Sequence, residues 1–209
     1  MHQRVRRKLA ALALALVPLV APSASAQAPA KAKSGPGYTA TDVQFMQGMI
    51  AHHAQAIVMA AMAPTHGASA QVSRFCRKIL VSQRDEIELM EDWLREHGET
   101  VPAPGDAHAH HAMDMGKGDH EMLMPGMLTA KQLEQLDQSR GSTFDRLFLT
   151  FMIQHHEGAL TMVAKLFDSP GAGQTPEVFG FATGVDADQR AEIARMQDML
   201  TTITGSTPK

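Results

Sequence analysis

Apolar residues recur every three to four positions in several long segments of the chain, which is the spacing of amphipathic α-helices. No segment alternates apolar and polar residues over the length of a strand, so the sequence predicts an all-α fold. The predicted helices run from Thr39 to before Pro64, from Ala68 to His97, from Thr129 to Asp137, onward from about Ser142, and from Pro176 to Ile203.

Two of these helices carry nearly the same sequence. Residues 42–59 and 145–162 both contain Met-Ile-x-His-His in the same register. The helices that follow them also align, since Gln-Arg-x-Glu-Ile recurs at 83–87 and 189–193. The duplicated unit is therefore a helical hairpin. Because neither hairpin can bury its apolar face alone, we expect the two to pack as an antiparallel four-helix bundle with pseudo-twofold symmetry.

Capping-box patterns mark where the helices start. Thr39 stands three residues before Asp42, and Ser142 stands at the same distance before Asp145. Thr129 precedes a glutamine at the same spacing and starts the short helix. The two aspartates are thus predicted to be helix-start residues rather than metal ligands.

The first 26 residues have the pattern of a secretory signal peptide. Basic residues from Arg4 to Lys8 precede an apolar run from Leu9 to Val20, and small residues at 24–26 predict cleavage near Ala26. The apolar run is too short for a membrane anchor. Residues 27–38 read as a flexible tether, and residues 39–203 as the bundle domain. We expect a periplasmic or secreted mature protein without a membrane span.

Charge and composition narrow the expected partners. Cleavage would leave 15 basic against 22 acidic residues, so nucleic acid is not an expected partner. The single cysteine, Cys76, allows no intramolecular disulfide and is expected to be a buried apolar residue, with thiolate ligation as the lesser alternative. Met and His are abundant, at 15 and 11 residues, whereas aromatic residues make up 5%. That imbalance points to metal binding.

The repeated segments place thioethers and imidazoles on shared helix faces. Met49 lies three residues before His52, and Met152 three residues before His155. Adjacent histidines point about 100° apart on a helix, so one of each pair is expected to face the pseudo-twofold axis and the other a neighbouring helix. Thioether with imidazole favours Cu(I) or Ag(I) over hard cations. The alternative is that these side chains only fill the core.

Four polar residues on the other helices are candidate hydrogen-bond partners of these imidazoles. Solvent or the neighbouring arginines could equally satisfy them. They are Gln83, Glu86, Gln189 and Glu192.

The connection between the hairpins, residues 106–127, is a second candidate metal site. Short His-rich tracts are typical of metal capture, and the glycines and prolines of this loop predict that it is mobile without ions. The candidate ligands are His108, His110, His111, Met113, Met115, His120, Met122, Met124 and Met127.

The repeated pattern Phe-x-x-x-Met-Ile-x-His-His-x-x-Ala-Ile/Leu-x-Met, with Met-Pro-Gly-Met-Leu-Thr between its copies, resembles the bacterial domain-of-unknown-function family numbered 305. The resemblance covers nearly all of residues 39–203 and implies a ferritin-like four-helix protein, often exported and associated with copper or silver. That family has no settled enzymatic activity. One departure is Phe151, where the first copy has Gly48, so the two halves need not bind ions equally. The ligand positions that the resemblance implies are Met49, His52, His53, Met59, Met152, His155, His156 and Met162, with Met90 and Met196 facing them.

We therefore expect a non-enzymatic periplasmic protein that sequesters Cu(I) or Ag(I), or passes the ion to a copper efflux or chaperone protein. Cu(II) or zinc on imidazoles alone is the alternative metal. A ferritin-like metalloenzyme is the first rival, although the chain has no Glu-x-x-His motif of the di-iron type. Residue Leu160 also stands where a zinc protease needs histidine. The second rival is an envelope interaction module that binds no metal.

Overall fold

A computed structural model describes residues 37–103 and 123–205 of the chain. The predicted signal peptide and most of the tether and of the His/Met-rich loop lie outside these residues. The described part is all-α, as predicted. Its helices are α1 (Ala40–Ala61), α2 (Ala70–Glu96), α3 (Ala130–Gln138), α4 (Gly141–Asp168) and α5 (Pro176–Thr204). No helix in the described ranges combines the length and apolar character needed to cross a bilayer.

The helix starts agree with two of the three predicted capping boxes. Thr39 and Asp42 form the box at the start of α1, and Thr129 and Gln132 form the box at the start of α3. The third prediction is wrong, because α4 begins at Gly141 and Asp145 is a buried residue in its second turn. Both carboxylate oxygens of Asp145 instead accept from the Ser69 amide, at 3.2 Å each, and so hold the turn before α2.

The equivalent aspartate of the first repeat holds the equivalent turn of the second. Asp42 Oδ1 accepts from the Gly173 amide at 2.6 Å, just before α5. Each hairpin therefore uses an aspartate of its inner helix to fix the interhelical turn of the other hairpin. Cross-bonding of this kind ties the two repeats into one folding unit.

The apolar core consists of two clusters, one at each end of the helices. The first, called here the Trp93 cluster, joins the first half of α1 and the end of α2 to the second half of α4 and the start of α5. The second, called the Phe144 cluster, joins the second half of α1 and the start of α2 to α3, the first half of α4 and the end of α5. This pairing of opposite halves is what antiparallel neighbours require.

The helices do not pack equally. Close packing joins α1 to α2, α4 to α5, and α1 to α4. In the described part of the chain, α2 and α5 are not closely packed, and cavities lie between them. The two inner helices, α1 and α4, thus form the centre of a helical bundle whose outer helices leave a cleft. Between the two apolar clusters lies a polar layer, which contains the repeated histidines.

Candidate metal centre

The two histidines of each pair face different neighbours, as the helical geometry predicted, and it is the first of each pair that faces the other inner helix. His52 of α1 and His155 of α4 are both buried, and their ring centroids lie 3.8 Å apart. Burial lowers the pKa of His52 to about 3, with a further lowering by the neighbouring His53. Burial, followed by the proximity of His52, lowers the pKa of His155 well below its ordinary value. Both rings are therefore neutral near pH 7.

Neutral imidazoles carry one N–H and one bare lone pair, and for His52 a hydrogen bond identifies which nitrogen is which. His52 Nε2 lies 3.0 Å from the carbonyl oxygen of Pro125, which can only accept, so Nε2 carries the proton. Within the described residues, His52 Nδ1 and His155 Nε2 are buried and have no hydrogen-bond partner. A buried nitrogen lone pair without a donor is a suitable ligand for a transition-metal ion.

The second histidine of each pair faces the outer helix of its own hairpin. His53 Nε2 lies 2.5 Å from Glu86 Oε2 on α2, and His156 Nε2 lies 2.8 Å from Glu192 Oε2 on α5. Bonding one imidazole nitrogen to a carboxylate is how proteins orient metal-binding histidines. The Nδ1 atoms of both rings are buried without a partner in the described structure. The structure thus confirms the two glutamates as partners of the imidazoles, but not Gln83 and Gln189.

The methionines divide between the two apolar clusters on either side of the histidines. Met49 and Met90 are fully buried in the Trp93 cluster, and the half-buried Met162 packs against its edge. Fully buried Met59, Met152 and Met196 belong to the Phe144 cluster. Met90 and Met196 therefore lie in different clusters. Both sides of that layer present thioether-bearing residues.

A short segment that contains a turn at Pro125 and Gly126 covers the α1–α4 seam beside His52. This segment, residues 124–128, is called here the strap. Its Pro125 carbonyl accepts from His52, and its Leu128 makes two hydrogen bonds with Gln55 of α1, at 2.7 and 3.1 Å. On the α4 side, Gln154 Nε2 donates to the Gly126 carbonyl at 3.2 Å. The strap is thus fixed to both inner helices.

Glycine is required where the strap meets α4. A Cβ at Gly158 would stand 2.0 Å from the Pro125 carbonyl oxygen, and one at Gly126 would stand 2.5 Å from the Gln154 carbonyl oxygen. Gly126 also has a φ of +76°, in the left-handed region that favours glycine. Both glycines are needed for the strap to lie this close to the helix.

The two repeats differ most where the strap passes. Gln55 binds the strap. Its counterpart in the second repeat is Gly158, whose missing side chain leaves room for the strap. Likewise Gly48 leaves space for two thioethers, since its Cβ position lies 3.4 Å from Met124 Sδ and from Met162 Cε. Its counterpart Phe151 is a buried core residue. The two halves therefore differ in packing at this position, and unequal ion binding by the two halves stays a prediction.

The remaining candidates are only partly placed. His108, His110, His111, Met113, Met115, His120 and Met122 lie outside the described residues. Met124 is half-buried beside Gly48, and Met127 is buried. Cys76 is buried in the Phe144 cluster, and burial raises the pKa of its thiol to about 12, as expected for an apolar role. In the described ranges, no three His, Cys, Asp or Glu side chains converge on one point as a metal site.

Sequence reasoning did not find the strap as part of the site. It used Pro125 and Gly126 as loop markers and as part of the family motif, and its loop candidates included Met124 and Met127 without separating them from the rest. The available signal was the pairing of Gln55 with Gly158 in two similar repeats. A duplication that loses a side chain at one position indicates that something else occupies the space.

Fold and site together define a duplicated helical bundle with a buried layer of imidazoles between two methionine-containing clusters. The chain belongs to the family described as domain of unknown function DUF305, whose model matches residues 42–200. A comparison with curated protein sequences gives no significant match.

Solved structures of relatives share this fold. A DUF305 fragment from Deinococcus radiodurans is 30% identical, with a TM-score of 0.65, and the match covers 80% of this chain and 99% of that one. A DUF305 protein from Streptomyces coelicolor is 22% identical, with a TM-score of 0.65 and coverage of 81% and 96%, and shows the fold alone.

A third relative is CopM. Its Cu(II)-bound form is 27% identical to this chain, with a TM-score of 0.59, over 77% of this chain and 96% of CopM. CopM has also been solved in Cu(I)-bound and Ag-bound forms. Besides its family match, the chain therefore has a structural relative that binds copper and silver.

Proposed function

We propose that this protein is an exported, non-enzymatic binder of Cu(I) and Ag(I) that sequesters the ion or passes it to a copper efflux or chaperone protein. The observation that carries the proposal is the His52–His155 pair. Two fully buried, neutral imidazoles meet at a ring separation of 3.8 Å, each with a ring nitrogen that no described group satisfies.

The cost of this arrangement argues for a bound ion. A buried polar atom left without a partner costs about 1–3 kcal/mol, and the four repeated histidines leave four such nitrogens among the described residues. Apolar residues at the same positions would avoid that cost. A metal ion would satisfy the lone pairs, and the low pKa of His52 means that no proton has to leave it first near pH 7.

The surrounding donors favour soft ions. Met49 shares a helix face with His52, and Met152 shares one with His155, since each pair is three residues apart. Thioether and imidazole select Cu(I), and Ag(I) has the same preference for soft ligands. Because fewer than three His, Cys, Asp or Glu groups converge at any point of the described chain, thioethers would have to complete the coordination. The binding of copper and silver by CopM supports the same class of ion.

Export is proposed from the leader pattern of residues 1–26. N-terminal sequencing of the protein from a culture's periplasmic or secreted fraction is expected to give a start near Gln27. An intact Met1 in that fraction, or retention in the cytoplasm, would contradict export without bearing on the metal site.

The metal proposal is tested by anaerobic titration of Cu(I) against a colorimetric chelator. We expect the double variant His52→Gln/His155→Gln to lose at least tenfold in affinity. His66→Gln is the matched control, because His66 is also buried but binds the Asp137 carbonyl at 2.9 Å, away from the polar layer. That variant is expected to bind Cu(I) as the wild type does.

A variant without residues 106–122 separates the bundle from the loop. High-affinity binding that survives this deletion but not the double histidine change supports the proposal. Affinity lost only with the loop would overturn it, because the buried imidazoles would then be structural. Failure of the wild type to compete with the chelator would favour the interaction-module alternative.

A further inference from the structure

The cleft between the outer helices contains a second cluster of polar groups, whose chemistry differs from that of the methionine-flanked histidines. A cavity of about 290 Å³ lies between α2 and α5 at the level of the polar layer. Its lining repeats the duplication, because Gln83 and Glu86 come from α2 and Gln189 and Glu192 come from the same positions of α5. Four oxygen-bearing side chains thus face one space in a pseudo-symmetric set.

The two amide oxygens in this set are unusual. Gln83 is 2% exposed and Gln189 is 3% exposed, yet neither Oε1 atom has a hydrogen-bond partner among the described residues. A buried carbonyl oxygen in this state costs about 1–3 kcal/mol. The same cost is incurred twice, at equivalent positions, on the wall of one cavity. A ligand that accepts oxygen donors would remove it.

The two carboxylates are held in place by the histidines behind them. Oε2 of Glu86 accepts from His53, and Oε2 of Glu192 accepts from His156. Each bond uses one carboxylate oxygen and leaves the other available. The bond also fixes the rotamer of each glutamate, so less side-chain entropy is lost when an ion binds.

The charge of the lining is compatible with a cation. Glu86, Asp188 and Glu192 bring three negative charges, and Lys78 and Arg195 bring two positive ones. The lining therefore has an excess of one negative charge. This net negative charge would weakly attract a divalent cation bound between the glutamates.

We propose that this cleft binds an oxygen-preferring divalent cation, of the class of Mn²⁺ or Ca²⁺, through the carboxylates of Glu86 and Glu192 and the amide oxygens of Gln83 and Gln189. Carboxylate and amide oxygens are the ligands of hard cations, whereas thioethers and imidazoles select soft ones. The chain would then hold two classes of ion side by side at the same level of the bundle. This proposal does not rest on copper binding, because the imidazoles serve here only as hydrogen-bond donors to the carboxylates.

The test replaces the amide oxygens without removing a needed contact. In Gln83→Leu/Gln189→Leu, two unpartnered carbonyl groups give way to apolar side chains of similar size, so the variant is expected to fold with an unchanged or higher Tm. Mn²⁺ binding, followed by electron paramagnetic resonance of the free ion, is expected to weaken at least tenfold. The matched control is Gln71→Leu/Gln197→Leu, the same change at exposed positions of the same two helices, and should leave Mn²⁺ affinity within twofold of the wild type.

A second readout is thermal stability. Mn²⁺ is expected to raise the Tm of the wild type and of the control variant but not that of Gln83→Leu/Gln189→Leu, because only a ligand that binds the native state stabilises it. Unchanged Mn²⁺ affinity in that variant, or no binding by the wild type at millimolar Mn²⁺, would overturn the proposal. Cu(I) affinity measured on the same variants should not change, so failure here is distinguishable from failure of the copper proposal.

Discussion

The contact between the strap and α4 predicts that Gly158→Ala destabilises the protein, although alanine is the better helix former. The new Cβ would lie 2.0 Å from the Pro125 carbonyl oxygen and 2.6 Å from Gly126 Cα. Both are backbone atoms, so no side-chain rotation can relieve the collision. The strap must withdraw from the helix by more than 1 Å to restore an ordinary contact.

The magnitude follows from the bonds that hold the strap. Four hydrogen bonds of 2.7–3.2 Å join it to His52, Gln55 and Gln154. Lengthening them by more than 1 Å takes them beyond bonding range. At about 1 kcal/mol each, their loss costs about 4 kcal/mol. Replacing Gly by Ala inside a helix returns about 1 kcal/mol. The net destabilisation is about 3 kcal/mol, which for a domain of this size lowers Tm by roughly 10 °C.

Urea denaturation of the metal-free protein measures this change, with Gly184→Ala as the matched control. Gly184 also lies inside a helix, and its Cβ position has no described atom within 4 Å. The control is therefore expected to gain up to about 1 kcal/mol. Equal effects of the two substitutions, or a Gly158→Ala variant as stable as the wild type, would refute the close contact between strap and helix.

Three further predictions concern buried groups. The metal-free protein should become less stable as pH falls below about 6.5, where the histidines of the unfolded chain begin to take up protons. The folded protein takes up protons on these rings only at lower pH, because burial lowers the pKa of His52 to about 3 and also lowers that of His155. At about 1.4 kcal/mol per pH unit for each ring, urea midpoints between pH 7 and pH 5 should fall steeply, and a flat profile would contradict the burial of neutral rings. Cys76, with its thiol pKa raised to about 12, should react with a thiol reagent at pH 8 only in denaturant, and rapid labelling of native protein would show that it is accessible. Asp145→Ala should cost about 1–3 kcal/mol, because the Ser69 amide loses its hydrogen bond to a charged acceptor, whereas Asp186→Asn, in an exposed ion pair, should change the free energy of unfolding by less than about 1 kcal/mol.

The helices and the divergent directions of the paired histidines were predictable because they depend on local patterns. Apolar spacing placed the long helices, a capping box placed α3, and the 100° step between neighbouring residues showed that His52 and His53 point apart, but not which of them faces α4. Duplication then extended both results to the second repeat. Glu86 and Glu192 were predictable only as candidates, since their bonds to the imidazoles depend on how α2 and α5 pack against the inner helices.

The strap and the open cleft were not predictable because both depend on contacts between distant parts of the chain. The Ser142–Asp145 spacing matched a capping box, but α4 starts at Gly141, and the carboxylate of Asp145 serves the turn before α2 instead. Similarly, Gln83 aligned with the apolar positions of α2, and nothing local indicated that its amide oxygen would be buried without a partner. Helix spacing identifies the buried face but not what that face meets.

The strap also explains why the two halves of a symmetric duplication need not act alike. His52 and His155 are equivalent by sequence, but only His52 donates to Pro125, through a segment that enters from the His/Met-rich loop. Moving the strap would break the bond to His52, whereas the described part of the strap makes no hydrogen bond to His155. The duplication provides two similar imidazoles, and the single strap gives them unequal surroundings.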